Sequence, residues 1–246
     1  MGYKAENIRP YNDKENKTGQ VRQMFDSIAP AYDFMNRAMT LGIDILWRKK
    51  AVGILKKYSP KRILDVATGT GDLVVELYKS VKPDSIVGID LSEKMLDVAA
   101  EKINGVLPGA DVHFEVGDCL NLRFSENEFD AVTVAYGVRN FENLETGYSE
   151  MFRVLKKGGV LCVIELSTPT NKIAYPLYRF YTGVLIPGIG RMVSKDRRAY
   201  SYLPESIAAA PQGEEMLGIM RKAGFKHCSY IPLTFGTCTI YMAVKE

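Results

Sequence analysis

Residues 64–72 read Leu-Asp-Val-Ala-Thr-Gly-Thr-Gly-Asp and join an apolar run to an amphipathic stretch, and no other segment constrains the fold so strongly. Glycines at that junction let the chain turn tightly and bring a ligand close to the backbone, while the start of the following helix offers free N–H groups. A strand, a glycine turn and a helix in that order open a βαβ unit, and the rest of the chain repeats the alternation. Apolar runs at 62–67, 85–90, 112–116, 129–136 and 160–166 read as strands. Between them Met95, Leu96, Ala99 and Ile103 follow helical spacing behind a capping Ser92. Leu144, Tyr148, Met151, Phe152 and Leu155 form a second stripe, which Gly158-Gly159 should stop. A helix at 214–222 and two consecutive strands at 226–233 and 237–244 close the chain. The expectation is a Rossmann-like α/β fold: a mostly parallel seven-stranded sheet, helices on both faces and a C-terminal antiparallel hairpin.

Outside that rhythm lie three segments. Residues 1–19 are polar and read as a flexible lead-in to a single domain spanning 20–246. An N-terminal helical cap, 20–58, carries Val21, Met24, Phe25, Ile28, Tyr32 and Met35 at helical spacing, broken at Pro30. Residues 168–211 hold Pro169, Pro176 and Pro187 with Tyr175, Tyr178, Phe180 and Tyr181, and read as an insertion on the substrate side of the sheet.

The 46% hydrophobic content excludes a disordered chain, and a net charge of +3 gives no general drive toward nucleic acid. Cys119, Cys162, Cys228 and Cys238 form no CxxC pair, and His113 and His227 are the only histidines, so neither a metal nor a disulfide framework is expected. His113 alternates with apolar neighbours and should face outward. The polar start and the lack of a long apolar run point to a cytoplasmic protein without a leader or membrane span.

The charge around the glycines narrows the ligand. Asp65 and Asp72 flank Gly69 and Gly71 and would repel the pyrophosphate of NAD or FAD, and Val74 stands where a dinucleotide fingerprint wants Gly or Ala. The same acids suit a ligand with an ammonium and a sulfonium, S-adenosylmethionine (SAM). Asp90, ending the second strand, can accept both ribose hydroxyls. Asp118 can take the adenine amine while the Cys119 backbone meets a ring nitrogen. A NAD-linked oxidoreductase and an RNA- or protein-binding module remain the competing classes.

Taken together, DVATGTGD, GIDLSEKML and GDCLNLRFSENEFD resemble the nucleotide-binding motifs of class I SAM-dependent methyltransferases. With FDSIAPAYDFMN, AYGVRNFENL, EMFRVLKKGG and AYSYLPESI, the chain resembles the quinone C-methyltransferases that act on demethylmenaquinol or its ubiquinone-pathway counterpart. That resemblance implies SAM contacts at Thr68, Asp90, Asp118 and Cys119, the last standing where the family more often has Ala. It implies no metal, a prenylated quinol as partner and an active-site segment at Gly137-Val138-Arg139-Asn140. Arg139 is always protonated and suits holding a quinol oxygen rather than acting as direct base. Tyr32 on the cap is the third catalytic candidate, with Tyr200 and Tyr202 behind it. The aromatic stretch 174–193 suits a prenyl tail, a bilayer surface or a lid, and Lys195, Arg197 and Arg198 form a small basic cluster. A homodimer and peripheral contact with the inner face of the membrane stay open, as does another apolar phenol or sterol as acceptor.

Overall fold

The structure is a computed structural model and describes residues 2–11, 15–171, 174–181 and 197–246. Seven strands form one sheet in the order β3-β2-β1-β4-β5-β7-β6: β1 Arg62–Val66, β2 Ser85–Asp90, β3 Val112–Val116, β4 Phe129–Ala135, β5 Leu155–Leu166, β6 Lys226–Leu233 and β7 Cys238–Val244. The first five run parallel; β7 lies antiparallel between β5 and β6. The expected terminal hairpin therefore enters the sheet through its second strand. Strand order reverses between β1 and β4, which opens a crevice at their carboxyl ends, the position where open α/β sheets bind ligands.

Side-chain alternation assigns each face its own core. In β5, Val160, Cys162 and Ile164 point to one side and Leu161 and Val163 to the other. In β7 the same split separates Ile240 and Met242 from Tyr241 and Ala243. One face is covered by α4 (Ile43–Leu55), α5 (Asp72–Val81) and α6 (Glu93–Val106), through Trp47, Val52, Leu73, Leu77 and Ile103. The other is covered by α7 (Leu144–Val154) and a helix at Glu214–Lys222, through Tyr148, Met151, Met216 and Met220. Ser92 caps α6 as expected, accepting the Met95 N–H at 3.1 Å.

Two expectations need correction. The helix of residues 144–154 ends before the glycines. Leu155 pairs with Phe129 in the ladder, and Gly158, at φ +77°, donates to the Lys245 carbonyl at 2.6 Å, so the glycine pair is a bulge inside β5. Among its described residues the lead-in is also partly packed rather than loose. Lys4–Asn7 forms a short α1, Ala5 is buried, and α2 begins at Lys17 and runs to Ile28. Polarity misled the reading because the long side chain buried there is that of Lys17. Pro30 breaks the cap as expected, in a 3-10 turn between α2 and α3 (Tyr32–Thr40). In the 168–211 insertion, helices α8 (Ala174–Phe180) and α9 (Arg197–Ala209) are described. Residues 182–193 of the aromatic stretch, Lys195, and the Tyr200 and Arg197 side chains lie outside the described residues.

Candidate active site

The loop after β1 holds its shape by leaving the usual backbone regions. Ala67 and Gly69 adopt φ +52° and +55°, and the Gly69 N–H donates to Asp90 Oδ2 at 2.8 Å. The other Asp90 oxygen accepts the Ser92 N–H at 2.9 Å. Burial pushes the Asp90 carboxyl up to about 6 although these backbone bonds favour its charged form. Gly69, Asp90, Leu91, Asp118 and Cys119 line one cleft with Phe25 and Tyr32. Asp118 shapes its own turn by accepting the Leu120 N–H at 2.9 Å. Tyr32 packs across the glycine loop, its Cε1 3.9 Å from where a Gly69 Cβ would stand, and edge-on to Phe25. Ser92 Oγ donates to Asp26 of α2 at 2.6 Å, which fastens the cap beside the cleft.

Three of the sequence candidates sit behind this wall. Asp65 is buried beneath the loop, and its oxygens accept the Thr68 and Thr133 hydroxyls at 2.6 and 2.5 Å. Burial raises its carboxyl to about 6. Thr68 is thereby turned inward as a brace for the loop, and the left-handed Gly71 packs toward Ala99 of α6. The charge argument from the flanking acids also needs correction. Asp72 is met by Arg37, Arg48 and Lys102 at 2.6, 3.1 and 2.6 Å, and these cations pull its carboxyl down despite burial. With Asp33 and Asp44 it belongs to a balanced group of three acids and three bases that binds α3 and α4 to α5 and α6. The acids in the cleft wall are Asp90, Asp118 and Glu142, the last accepting the Thr18 hydroxyl at 2.7 Å.

Beside the cleft, sharing Phe25, Tyr32 and Tyr136 with it, is an apolar cavity of about 260 Å³. Cap residues Met24, Ile28, Met35, Met39 and Trp47 make much of its wall, and Tyr178, Tyr202 and Arg139 complete it. Arg139 is buried and pairs with Glu165 Oε1 at 2.7 Å, while its own N–H donates to Glu165 Oε2 at 3.2 Å and its side chain to the Tyr136 carbonyl. Burial opposes the guanidinium charge, but Glu165 together with Tyr32 and Tyr202 outweighs it and the pKa rises. Among the described residues three buried side-chain polar atoms have no hydrogen-bond partner, Arg139 Nε, Tyr136 Oη and Tyr181 Oη. All three residues line this cavity. Asn140, in the cleft wall, accepts the Tyr202 hydroxyl at 3.0 Å, so Tyr202 joins the insertion to the segment after β4.

Sequence reasoning passed over three contributors. Glu165 had a visible signal, a lone acid in the otherwise apolar run 160–166. The cap methionines read as core. Lys17 gave no signal in its polar segment; its ammonium donates to the Ala5, Arg139 and Phe141 carbonyls at 2.7, 3.0 and 3.1 Å, holding the turn that carries Arg139. The two histidines stay outside the site: His113 and His227 are exposed beside Asp111 and Glu246.

The model of the ubiE/COQ5 methyltransferase family matches residues 12–245. The chain belongs to that family. It is 46% identical over 245 residues, 100% of both chains, to a demethylmenaquinone methyltransferase of Bacteroides fragilis. A ubiquinone/menaquinone biosynthesis C-methyltransferase UbiE of Geobacter sulfurreducens is 39% identical over 93% of this chain and 90% of its own. Among solved structures, a SAM-dependent methyltransferase of Thermotoga maritima superposes with a TM-score of 0.63 at 20% identity, covering 92% of this chain and 99% of its own, a likeness of fold. The expected class I fold and SAM-dependent methyltransferase chemistry stand with this membership. Among the described residues no helix is long and apolar enough to cross a membrane.

Proposed function

We propose that this family member transfers a methyl group from SAM to a ring carbon of a prenylated demethylmenaquinol. The observation that carries the reading is Arg139: a permanently charged side chain with one buried, unpartnered N–H in the wall of an apolar cavity that adjoins the acidic cleft. The relatives' names supply the naphthoquinol as the first acceptor to try.

When bound, SAM supplies an electrophilic methyl on a sulfonium. The chain's residues fit its other parts. Asp90 would accept the ribose hydroxyls, Asp118 would accept the adenine amine and the Cys119 backbone N–H would donate to a ring nitrogen. The Gly69 loop, braced from below by Asp65 and Thr68, admits the ligand to the backbone. Arg139 Nε donates to the quinol oxygen beside the carbon to be methylated. A buried cation there lowers the hydroxyl's pKa, the resulting oxide pushes electron density onto the ring carbon, and the hydrogen that carbon carried leaves as a proton to the oxygen as the methylated ring regains aromaticity. A water relays the proton outward, since guanidinium cannot take it. Glu165 keeps Arg139 in place, and Asn140 and Tyr32 orient the ring between the cavity and the cleft.

The prenyl tail fits the methionine-rich part of the cavity. Leu41 lines its wall and is 82% exposed; Phe235, next to the lining Thr234, is 81% exposed, and Phe180, next to Tyr181, is 59% exposed. Exposed apolar residues that line the cavity or adjoin its lining in sequence suit contact with the cytoplasmic face of a bilayer, where a lipid-tailed quinol resides. Steady-state kinetics with reduced demethylmenaquinone and the demethyl benzoquinol, each with short and long tails, test this reading. The naphthoquinol should show the higher kcat/KM and the long tail the lower KM. Preference for the benzoquinol, or indifference to the tail, overturns the corresponding half.

A further inference from the structure

Tyr136 follows β4 at φ +59°, a region that bulky side chains rarely adopt. Its backbone is held there on both sides. The N–H donates to the Ile164 carbonyl at 2.7 Å, and its carbonyl accepts from the Arg139 guanidinium and, at 3.5 Å, from Asn140 Nδ2. The next residue leaves no slack, because a Cβ at Gly137 would stand 2.6 Å from that of Ala67. So the ring is aimed by a fixed backbone, and the residue lines both the cleft and the apolar cavity. Yet the hydroxyl at its end is buried and has no hydrogen-bond partner among the described residues. A phenol in that position costs free energy unless some other molecule completes its hydrogen bond.

The acceptor reading leaves a matching gap. A quinol ring carries two oxygens, and Arg139 Nε can serve one. We infer that the Tyr136 hydroxyl binds the second ring oxygen, which makes the site selective for aromatic rings with two oxygens over monophenols and sterols. This rests on the quinol reading above. The two groups treat the oxygens unequally. Arg139 is a cation and stabilises an oxide, whereas burial holds the Tyr136 phenol in its neutral form, well above its ordinary pKa, so it bonds a hydroxyl without favouring its ionisation. The ring is therefore activated at the carbon next to Arg139's oxygen, which sets where the methyl goes. Tyr181 also carries an unpartnered hydroxyl, but it lines the cavity alone and not the cleft, so it meets the tail side of the acceptor.

The test compares Tyr136→Phe with the wild type on two acceptors, reduced demethylmenaquinone and the tail-matched naphthol that lacks the second hydroxyl. On the quinol, Tyr136→Phe should lose about tenfold in kcat/KM; on the naphthol the two proteins should agree within about twofold. Melting temperature should hold or rise, because the substitution removes a buried hydroxyl that has no partner among the described residues. A purely structural tyrosine would give the reverse: lower melting and equal losses on both acceptors. Wild-type kcat/KM on the quinol, equal losses on the two acceptors, or a variant that fails to fold each overturns the assignment. If the wild type binds SAM but methylates neither acceptor, the quinol reading fails and takes this inference with it; if the wild type turns over and the variant matches it, only the inference fails.

Discussion

Lys17→Met removes a charge from a place where no sequence rule would put one. The side chain is fully buried, and its ammonium serves three carbonyls, Ala5, Arg139 and Phe141. Methionine fills the stem and strands all three acceptors. At roughly 1 kcal/mol or more for each stranded carbonyl, less the relief of no longer burying a cation, the net cost is about 2–3 kcal/mol. For a chain of this size that lowers Tm by roughly 4–12 °C, read by calorimetry or circular dichroism. Two of the three carbonyls flank Arg139 and Asn140, so kcat should fall while the Kd for SAM changes little. The pH dependence gives an independent check. Burial holds the Lys17 ammonium down to about 8, with Glu6 opposing, against 10.5 when free. Between those values the unfolded chain binds the extra proton, so this group's contribution to stability rises with pH across that window. The wild type should therefore gain on Lys17→Met from pH 8 to 10. A variant that melts within about 1 °C of the wild type and turns over normally would refute the clamp.

Other consequences can be checked alongside it. Arg139→Lys keeps a cation for Glu165 but loses the planar second donor, so turnover should drop by roughly a hundredfold with SAM binding intact; full turnover would remove Arg139 from the mechanism. SAM affinity should be flat above pH 7 and weaken below about 6 as Asp90 takes its proton, while Asp90→Asn binds weakly at every pH. Calorimetric titration showing unchanged wild-type affinity at pH 5 would contradict the ribose role. Leu41→Ser with Phe235→Ser should abolish sedimentation with phospholipid vesicles and leave turnover of a short-tailed quinol in detergent unchanged. Undiminished vesicle binding would count against that surface.

Local rules made the fold legible. The two-residue period of β5 and β7, the Ser92 cap and the Pro30 break all translate directly into structure, because each depends on neighbours within a few positions. Where the reading departed, a distant partner decided. Leu155 continues a helical stripe but pairs with Phe129, and Lys17 in the polar start is buried because carbonyls more than a hundred residues away receive it. At the site the sequence located the loop, Asp90, Asp118 and Arg139, since each follows a strand end at the crevice. It could not tell wall from brace. Asp65 and Asp72 supported SAM over a dinucleotide by their charge, yet one lies beneath the loop and the other is neutralised by three cations. Family membership, together with the acids that do line the cleft, carries that conclusion instead. The apolar cavity was illegible for a similar reason: methionines at helical spacing look like core until the cap is seen to leave a space behind them.

The account turns on the atom that receives the methyl group. Incubating the protein with SAM labelled with carbon-13 in its methyl group and reduced demethylmenaquinone, then reading the product by carbon-13 NMR, answers this directly. The account predicts one labelled signal in the aryl-methyl range, from a methyl on the ring carbon next to a hydroxyl. A signal in the methoxy range, or no transfer by a protein that binds SAM, would contradict it.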